Sequence, residues 1–292
     1  MIQKRISQVL KERFGCKVYK LSLDGGMTCP NRDGTVGDGG CIFCGDAGSG
    51  EFAEKPCGSI AAQLERAKSR VAKKVKEGKY IAYFQSFTNT YAPLPYLERI
   101  YKEAIAPDDV VGLAIATRPD CLGDEVIDLL KKINQIKPLW VELGLQTINE
   151  KTAEDIRRGY KNEVFDRAVK RLQAAGIETV AHMIIGLPGE TAEDAINTAR
   201  HLSDLGIDGI KFHMLYVVRG TDLENDYLSG KFKTLSLDEY TEILKGCISV
   251  LKEDIVVHRL TGDGAKKDLV APLWSGNKKK VLNHINKELG GL

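Results

Sequence analysis

The sequence contains no long hydrophobic run, and its first residues, MIQKRISQVLKERFG, form a charged amphipathic segment without a continuous apolar stretch. A membrane-spanning helix needs about 20 apolar residues, and a secretory signal peptide needs an apolar centre of about 7 to 15. Because the sequence has neither, we expect a cytoplasmic protein that makes no contact with a membrane.

An excess of charge is also missing, because 42 Lys and Arg residues nearly balance 40 Asp and Glu residues and leave a net charge of +2. This balance neither requires nor excludes a nucleic-acid partner. The 292 residues are 43% hydrophobic and 28% charged, which is typical of a globular protein with a sizeable core. Since α/β barrels of this length commonly form one domain, we expect residues 1–292 to be a single domain.

A second CXXC or HXXXH pair, which zinc sites of the ribbon type normally show, is absent from the sequence. Three of the seven cysteines, Cys29, Cys41 and Cys44, lie in a glycine-rich stretch with eleven residues between the first two and two between the last two. An odd number of cysteines without a secretory signal favours metal or redox use over a disulfide framework. Thiolates in such a loop suit zinc or an iron–sulfur cluster, and both usually take four protein ligands. Cys57 is the nearest candidate for the missing ligand, although we interpret it as an ordinary thiol.

Short apolar segments alternate with helical segments up to residue 216. The six predicted strands cover residues 17–23, 80–84, 109–116, 139–145, 178–185 and 209–216. Because each strand is short and apolar on both faces, the pattern favours a parallel sheet covered by helices. A partial (β/α)6 barrel of the TIM type and an open doubly wound sheet both satisfy it.

Helices are predicted between these strands and at both ends of the chain. They cover the N-terminal segment and residues 59–77, 95–106, 124–136, 150–158, 162–175, 191–205, 236–251 and 277–289. The regular alternation stops after residue 216, where a polar loop is predicted over residues 220–234 and one more strand over residues 255–260. We therefore expect a core barrel over about residues 17–216 and a C-terminal helix and strand extension over about residues 217–292.

Polar or glycine-rich residues follow each predicted strand. They include the cysteine loop, QSFTNT, TRPD, GLQT and GLPGE. Ligands bind at the carboxyl ends of the strands in parallel α/β sheets, so one end of the sheet is predicted to carry the chemistry.

These motifs together resemble the radical S-adenosylmethionine (SAM) superfamily. An aromatic residue precedes the last cysteine of a CXXC pair after the first barrel strand, although the CX11CX2C spacing departs from the common CX3CX2C. With FQSFTNTYAP, ATRPD, LGLQT and MIIGLPGE, the long cysteine loop is similar to the Elongator-catalytic-subunit-like branch. The similarity covers residues 15–275 and is greatest to the stand-alone bacterial proteins of that branch, which lack an acetyltransferase domain.

The resemblance implies a 4Fe–4S cluster in which Cys29, Cys41 and Cys44 each bind one iron and SAM chelates the fourth. It also implies SAM contacts for eight residues that follow the strands, namely Gln85, Thr88, Asn89, Arg118, Glu142, Gln146, Gly186 and Leu215. Arg118 would pair with the SAM carboxylate, since a guanidinium group fits carboxylates well. The candidates for the substrate side are His213 and Asp263, whereas His182 is interpreted as a core residue.

The activity implied by the resemblance is reductive cleavage of SAM followed by hydrogen abstraction from a substrate, with flavodoxin or ferredoxin as the electron donor. The Elongator branch implies tRNA as the substrate and the C5 side chain of a wobble uridine as the target. Our hypothesis is conversion of carboxymethylaminomethyl to aminomethyl, and the basic run Arg157–Lys161 is a candidate for contacts with phosphates. The alternatives are a radical SAM enzyme acting on a small metabolite or peptide, and a zinc-stabilised binding module without catalysis.

Overall fold

A computed structural model describes residues 4–46, 48, 53–54, 58–72, 78–262, 264 and 266–290. The strands in this part of the chain are β1 (Val18–Leu23), β2 (Lys79–Phe84), β3 (Val110–Thr117), β4 (Leu139–Gln146), β5 (Glu178–Ile185), β6 (Gly209–Met214), β7 (Val217–Val218), β8 (Val256–Arg259) and β9 (Leu269–Ala271). Seven of them form one parallel sheet in the order β1-β2-β3-β4-β5-β6-β8, which curls into a half-barrel. β7 and β9 pair antiparallel outside that sheet.

Helices cover the outside of the sheet and one of its ends. The described helices are α1 (Ile6–Phe14), α2 (Ile60–Val71), α3 (Leu94–Ile105), α4 (Asp124–Ile136), α5 (Glu150–Asp155), α6 (Asn162–Ala174), α7 (Ala192–Leu205), α8 (Asp222–Leu228), α9 (Leu237–Ser249) and α10 (Lys278–Glu288). The end of the helix predicted over residues 59–77 lies partly outside the described residues. None of the described helices is long and apolar enough to cross a membrane.

The predicted partial barrel of parallel strands is confirmed, and the sheet has a seventh strand. Residues 255–260 were predicted as a strand of the C-terminal extension, but β8 lies beside β6 in parallel, with Gly209 opposite Val256 and Lys211 opposite Arg259. A parallel bridge between Arg5 and Val257 covers part of the outer edge of β8. An edge strand that is covered in this way is protected from pairing with other chains.

Two local predictions for segments between or beyond the strands of the sheet are wrong. The segment predicted as a polar loop over residues 220–234 contains α8, which begins because the Thr221 hydroxyl accepts a hydrogen bond from the backbone N–H of Glu224. The helix predicted over residues 150–158 ends at Asp155, and Arg157 adopts a left-handed φ of 55° that an α-helix does not allow.

The N-terminal helix closes one end of the half-barrel. Leu10 of α1 belongs to a buried cluster with Ile81, Trp140 and Val180, which stand near the amino ends of their strands. Alternate residues of a strand point to opposite faces, so the next residues on this face point into the barrel interior. The interior is therefore closed by apolar packing at the amino ends of the strands and left for polar groups at the carboxyl ends.

Candidate active site

A cavity of about 380 Å³ lies inside the half-barrel, toward the carboxyl ends of its strands. Most of the predicted site residues line it, namely Cys29, Cys41, Cys44, Gln85, Thr88, Arg118, Glu142, Gln146, His213 and Leu215. Asn89 and Gly186 lie outside its wall. Asp263 and Cys57 lie outside the described residues.

Cys29, Cys41 and Cys44 all lie in the wall of this cavity. Burial and then the neighbouring Cys44 raise the pKa of the Cys41 thiol to about 12, so a thiolate at Cys41 needs positive charge close to it. Within the described residues, no three Cys, His, Asp or Glu side chains converge on a point where they could hold one metal ion. A zinc ion needs its ligands around a single centre, whereas the cysteines of a cluster bind different irons. The donor set therefore fits a cluster better than a zinc ion.

Asn31 ties the cysteine loop to the segment that follows β4. It is 4% exposed, and its side-chain Nδ2 donates to the carbonyl oxygen of Arg157 at 2.6 Å and to Sγ of Cys41 at 3.6 Å. Hydrogen bonds to cluster sulfurs and cysteines tune the stability and reduction potential of such centres. The buried Asn31 amide therefore holds Cys41 in position and does not project toward a substrate.

Arg32 shapes the loop through its backbone contacts. Its Nη2 donates to the carbonyl oxygens of Cys44 and Gly45, at 2.7 and 2.8 Å. Gly40 has a left-handed φ of 72°, and a Cβ atom there would approach the Arg32 side chain to 2.9 Å. Asp33 is exposed and accepts a hydrogen bond from the next turn of the loop. The polar residues of the long insertion therefore hold its conformation.

The segment after β2 contributes some of its polar side chains to the cavity and buries the others. Gln85 and Thr88 are in the wall. Asn89 is fully buried, its Nδ2 donates to the carbonyl oxygen of Ala116 at 2.9 Å, and its Oδ1 has no partner among the described residues. The proposed contact between SAM and Asn89 stays a prediction, and it would require access to that buried oxygen.

Left-handed backbone conformations are concentrated around the site. The non-glycine residues with positive φ in the described part of the chain are Phe87, Gln146 and Arg157, with φ of 58°, 68° and 55°. Phe87 and Gln146 are in the cavity wall, and the carbonyl of Arg157 accepts the hydrogen bond from Asn31. Such conformations cost free energy and cluster at functional sites, so this observation marks the same end of the sheet independently of the cysteines.

Arg118 is held in place by a bidentate ion pair. Its Nε and Nη2 donate to the two carboxylate oxygens of Asp120 at 2.9 and 2.7 Å, and its Nη1 donates to the carbonyl oxygen of Arg158 at 2.9 Å. The guanidinium also lies 4.8 Å from the centre of the Tyr160 ring. Two N–H groups remain for another acceptor, since a guanidinium carries five. The predicted pairing of Arg118 with the SAM carboxylate must use those two.

The proposed phosphate contact is wrong for Arg158, a residue of the basic run after β4. Arg158 is 1% exposed, and its guanidinium donates to the carbonyl oxygens of Leu145, Thr147 and Tyr160. These acceptors lie at the end of β4 and in the segment that follows it, so Arg158 fixes the turn after β4. Arg157 and Lys161 are the exposed cations of the run.

Glu142 is the centre of a buried hydrogen-bond network in the barrel interior. Its Oε1 accepts from Lys20 Nζ at 2.9 Å and from Trp140 Nε1 at 3.1 Å, and its Oε2 accepts from His182 Nε2 at 2.9 Å and from Lys211 Nζ. Burial alone would raise the pKa of Glu142, but Lys20, Lys211 and His182 outweigh burial and hold it well below its usual range. Its contact with SAM stays a prediction, and SAM would have to displace one of four donors.

Two histidines stand side by side in the wall of the cavity. The rings of His182 and His213 are 5.4 Å apart between centroids, and Nε2 of His213 is buried without a hydrogen-bond partner among the described residues. Burial and then Lys211 lower the pKa of His182 to about 4, and burial and then Arg259 lower that of His213 well below its usual value. Both rings are therefore neutral at neutral pH. The interpretation of His182 as a core residue is wrong, because it lines the cavity.

Four polar residues of the interior were not among the predicted site residues, namely Lys20, Tyr83, Lys211 and Arg259. The signal for them was the period of two along each strand. Lys211 shares a strand face with His213, and Lys20 shares one with Ser22 of the cavity wall. An apolar strand with a lysine on one face indicates a polar interior.

Comparison with known proteins identifies relatives along the whole chain. The family model of the radical SAM superfamily matches residues 32–202, and that of the radical SAM C-terminal domain matches residues 207–290. The uncharacterized protein YtqA of Bacillus subtilis is 46% identical over 280 residues, which are 96% of this chain and 87% of that protein. The tRNA uridine(34) acetyltransferase of Methanocaldococcus jannaschii is 28% identical over 156 residues, 52% of this chain and 28% of that protein.

A solved structure shares the fold. The archaeal Elp3 of Methanocaldococcus infernus, with an N-terminal deletion, superposes with a TM-score of 0.70 at 19% identity, covering 93% of this chain and 63% of that one. The chain thus belongs to the radical SAM superfamily, and it is an enzyme that uses a 4Fe–4S cluster and SAM. Within the superfamily it is homologous to the radical SAM region of the Elongator proteins and to stand-alone bacterial proteins such as YtqA, as its motifs predicted.

Proposed function

We propose that this enzyme acts on the C5 side chain of a wobble uridine in tRNA and converts carboxymethylaminomethyl to aminomethyl. SAM would serve as the two-electron oxidant of the outer C–N bond, and water would then cleave the resulting imine, so that the two carboxymethyl carbons leave as an oxoacid. The observation that carries the proposal is the homology to a protein whose name assigns it to uridine 34 of tRNA. The residues after the barrel strands support the same site for the chemistry, because they bring cysteines, cations and neutral histidines to one cavity.

In this proposal Cys29, Cys41 and Cys44 bind the cluster, and SAM takes the iron that has no cysteine. Together they supply reductive cleavage of SAM and abstraction of a substrate hydrogen atom. Asn31 stabilises Cys41 by its hydrogen bond to Sγ, and Arg32 keeps Cys44 in position through the backbone. The protein thereby fixes the donor atoms before the cofactor binds.

The cavity itself positions the reacting groups. Gln85 and Thr88 offer side-chain oxygens for the amino group of SAM, and Arg118 offers its two remaining N–H groups for the carboxylate. Its volume of about 380 Å³ lies within the range of small-molecule sites. The apolar packing of α1 closes the far end, which keeps bulk water away from the reaction.

The remaining parts of the proposal concern partners and organisation. Residues 1–292 act as one unit, in which the C-terminal extension supplies β8 to the wall of the cavity. A flavodoxin or a ferredoxin supplies the electron. A nucleobase side chain, rather than a whole base pair, enters the cavity, which requires the wobble base to be unpaired.

The test is nucleoside mass spectrometry of tRNA from a strain in which the gene is deleted. We expect 5-carboxymethylaminomethyluridine to accumulate and the aminomethyl form and its derivatives to disappear. Complementation with the wild-type gene should restore the profile, whereas a gene encoding Cys41→Ala should not. An unchanged profile in the deletion strain would exclude this substrate, and reductive SAM cleavage by the purified protein would then point to a metabolite or peptide.

A further inference from the structure

The wall of the cavity contains a guanidinium that no carboxylate of the described residues contacts. Arg259, at the end of β8, is in the wall of the cavity, and its guanidinium forms no hydrogen bond or ion pair with any residue that the structure describes. Its cross-strand partner in β6 is Lys211, so the two side chains point to the same face of the sheet. Lys211 is 3% exposed.

Among the described residues of the interior, the positive charges exceed the negative ones. Lys20 and Arg259 are cationic, burial lowers the pKa of Lys211 well below its usual value, and Glu142 is the carboxylate that both lysines contact. Both oxygens of Glu142 are occupied by other donors, so it has no acceptor left for Arg259. Arg259 is half-buried, and its guanidinium can form a bidentate pair with a carboxylate that enters the cavity.

A second observation points to the same place. His213 lies two residues after Lys211 on the same strand face, and its buried Nε2 has no hydrogen-bond partner within the described residues. Arg259 acts electrostatically on His213, His182, Lys211 and Tyr83. A polar ring nitrogen and a guanidinium are therefore both directed into one part of the cavity without partners.

This part of the cavity is distinct from the surroundings of the cysteines. Arg118 acts electrostatically on Cys29 and Cys41, and Arg158 acts on Cys41, so a carboxylate of SAM beside the cluster would be next to Arg118. Arg259 is grouped instead with the residues of β5 and β6 deeper in the barrel. The two arginines therefore offer two separate places for anions.

We propose that Arg259, with Lys211 and His213 beside it, binds the carboxylate of the substrate side chain and thereby selects a carboxylated substrate. The inference rests on the proposed function and names the group that the enzyme recognises. A guanidinium donates to both oxygens of a carboxylate in a bidentate pair, which is stronger than a hydrogen bond between neutral groups. The aminomethyl product has lost its carboxylate and carries a cationic amine. It is repelled by the same site, which favours its release.

The test compares two anticodon stem-loop RNAs, one with 5-carboxymethylaminomethyluridine at the wobble position and one with 5-aminomethyluridine. Equilibrium binding is measured with the holoenzyme, without an electron donor, for the wild type, Arg259→Gln and Arg259→Lys. We expect the wild type to bind the carboxylated RNA about tenfold or more tightly than the other RNA. Arg259→Gln should bind the two RNAs equally. Arg259→Lys should retain part of the preference, because lysine keeps the positive charge but lacks the bidentate geometry of the guanidinium.

Controls distinguish binding of the carboxylate of SAM from binding of the carboxylate of the substrate side chain. Arg200→Gln, on the exposed surface of α7, should behave as the wild type. A tenfold weaker binding of SAM by Arg259→Gln than by the wild type would overturn the inference in favour of a SAM subsite. Equal binding of the two RNAs by the wild type would also overturn it, even if the enzyme converts the carboxylated RNA.

Failure of the proposed function gives a different result. If the wild type neither binds nor converts either RNA, the same comparison is made with the free nucleosides 5-carboxymethylaminomethyluridine and 5-aminomethyluridine. A preference for the carboxylated nucleoside that Arg259→Gln abolishes supports the carboxylate site while tRNA is rejected as the substrate. No preference between the nucleosides overturns the inference.

Discussion

The side-chain amide of Asn31 donates to both Sγ of Cys41 and the backbone carbonyl of Arg157, at 3.6 and 2.6 Å. One buried residue therefore connects the cysteine loop after β1 to the strained turn after β4. Loops from different strands of a parallel sheet often meet over a ligand, and here the Asn31 amide acts together with a backbone hydrogen bond from the N–H of Ile42 to the carbonyl oxygen of Ile156 at 3.2 Å. The position of Cys41 thus depends on the conformation of a segment more than a hundred residues away in sequence.

Replacement of Asn31 by Leu should weaken the cluster without preventing its assembly. The substitution removes the N–H donated to Cys41 and leaves the carbonyl of Arg157 without a partner, which costs about 1 to 3 kcal/mol of folding free energy. Loss of a hydrogen bond to the sulfur should also lower the reduction potential. Potentiometry followed by electron paramagnetic resonance measures the potential. Exposed Asp33→Asn is the matched control, and an unchanged potential in Asn31→Leu would contradict the prediction.

Each of the substitutions Cys29→Ala, Cys41→Ala and Cys44→Ala should abolish the cluster. The anaerobically reconstituted wild type should be brown and contain about 4 Fe per chain, as expected of a 4Fe–4S protein. Iron analysis and absorption spectra of the variants measure the loss, with Cys16→Ala as the control. Cys57→Ala should keep the cluster. Loss of iron in that variant would show that a fourth cysteine occupies the iron assigned to SAM.

Replacement of Glu142 by Gln should destabilise the fold strongly at neutral pH. The substitution leaves Lys211 buried without a counterion and the half-buried Lys20 unpaired, and breaking a buried pair such as Lys211–Glu142 costs about 3 to 5 kcal/mol. Denaturant unfolding measures the difference, and Glu178→Gln, which removes an exposed pair with Arg13, should cost no more than about 1 kcal/mol.

The pH dependence of the Glu142→Gln effect follows from the direction of its pKa shift. Because the cations hold the pKa of Glu142 below its usual value, ionised Glu142 stabilises the fold above the unfolded-state pKa. That contribution is lost as the pH falls through the folded-state pKa. The difference between wild type and variant should therefore shrink in acid, and a constant difference from pH 7 to pH 3 would contradict the assignment.

Glu190 should make the fold less stable as the pH rises. Burial raises the pKa of its carboxyl group to about 7, and Oε2 has no partner among the described residues, while Oε1 accepts from Thr147 at 2.5 Å. A raised folded-state pKa stabilises the protein below the unfolded-state pKa, and this stability is lost as the pH rises through about 7. Glu190→Gln should therefore gain about 2 kcal/mol over the wild type between pH 5 and pH 8.

Thermal unfolding of both proteins across this pH range measures the effect. Glu193→Gln, at an exposed position of α7, should follow the wild type at every pH. Parallel curves for Glu190→Gln and the wild type would show that the carboxyl group of Glu190 is ionised in the folded protein at pH 5.

The sequence was sufficient to predict the strands of the large parallel sheet and the cysteine loop, but not the short strands β7 and β9. Short apolar runs alternating with helices are a local signal, and so is the spacing of Cys29, Cys41 and Cys44. The position of β8 in the sheet could not be predicted from the local sequence. The same four residues, which end in Arg259, could extend the barrel or pair elsewhere. Only the register against β6 brings Arg259 opposite Lys211.

The polar side chains of the barrel interior could not be predicted from the sequence for the same reason. Glu142 and Lys20 are far apart along the chain, and their contact depends on how strongly the sheet curls. Composition was misleading for Arg158, which belongs to a basic run typical of a solvated surface but donates to buried carbonyl groups. Side-chain burial in a loop follows from the backbone around it, which the residue type does not specify.

The bridge between Arg5 and Val257 has a consequence for the order in which the molecule is built. A ribosome releases the cysteine loop long before it releases β8, so a nascent chain has the three thiols but lacks the strand that carries Arg259. The segment beside Arg5 therefore pairs only after Val257 has been synthesised. Iron delivered during translation would reach the thiols through the side of the barrel that β8 has not yet covered.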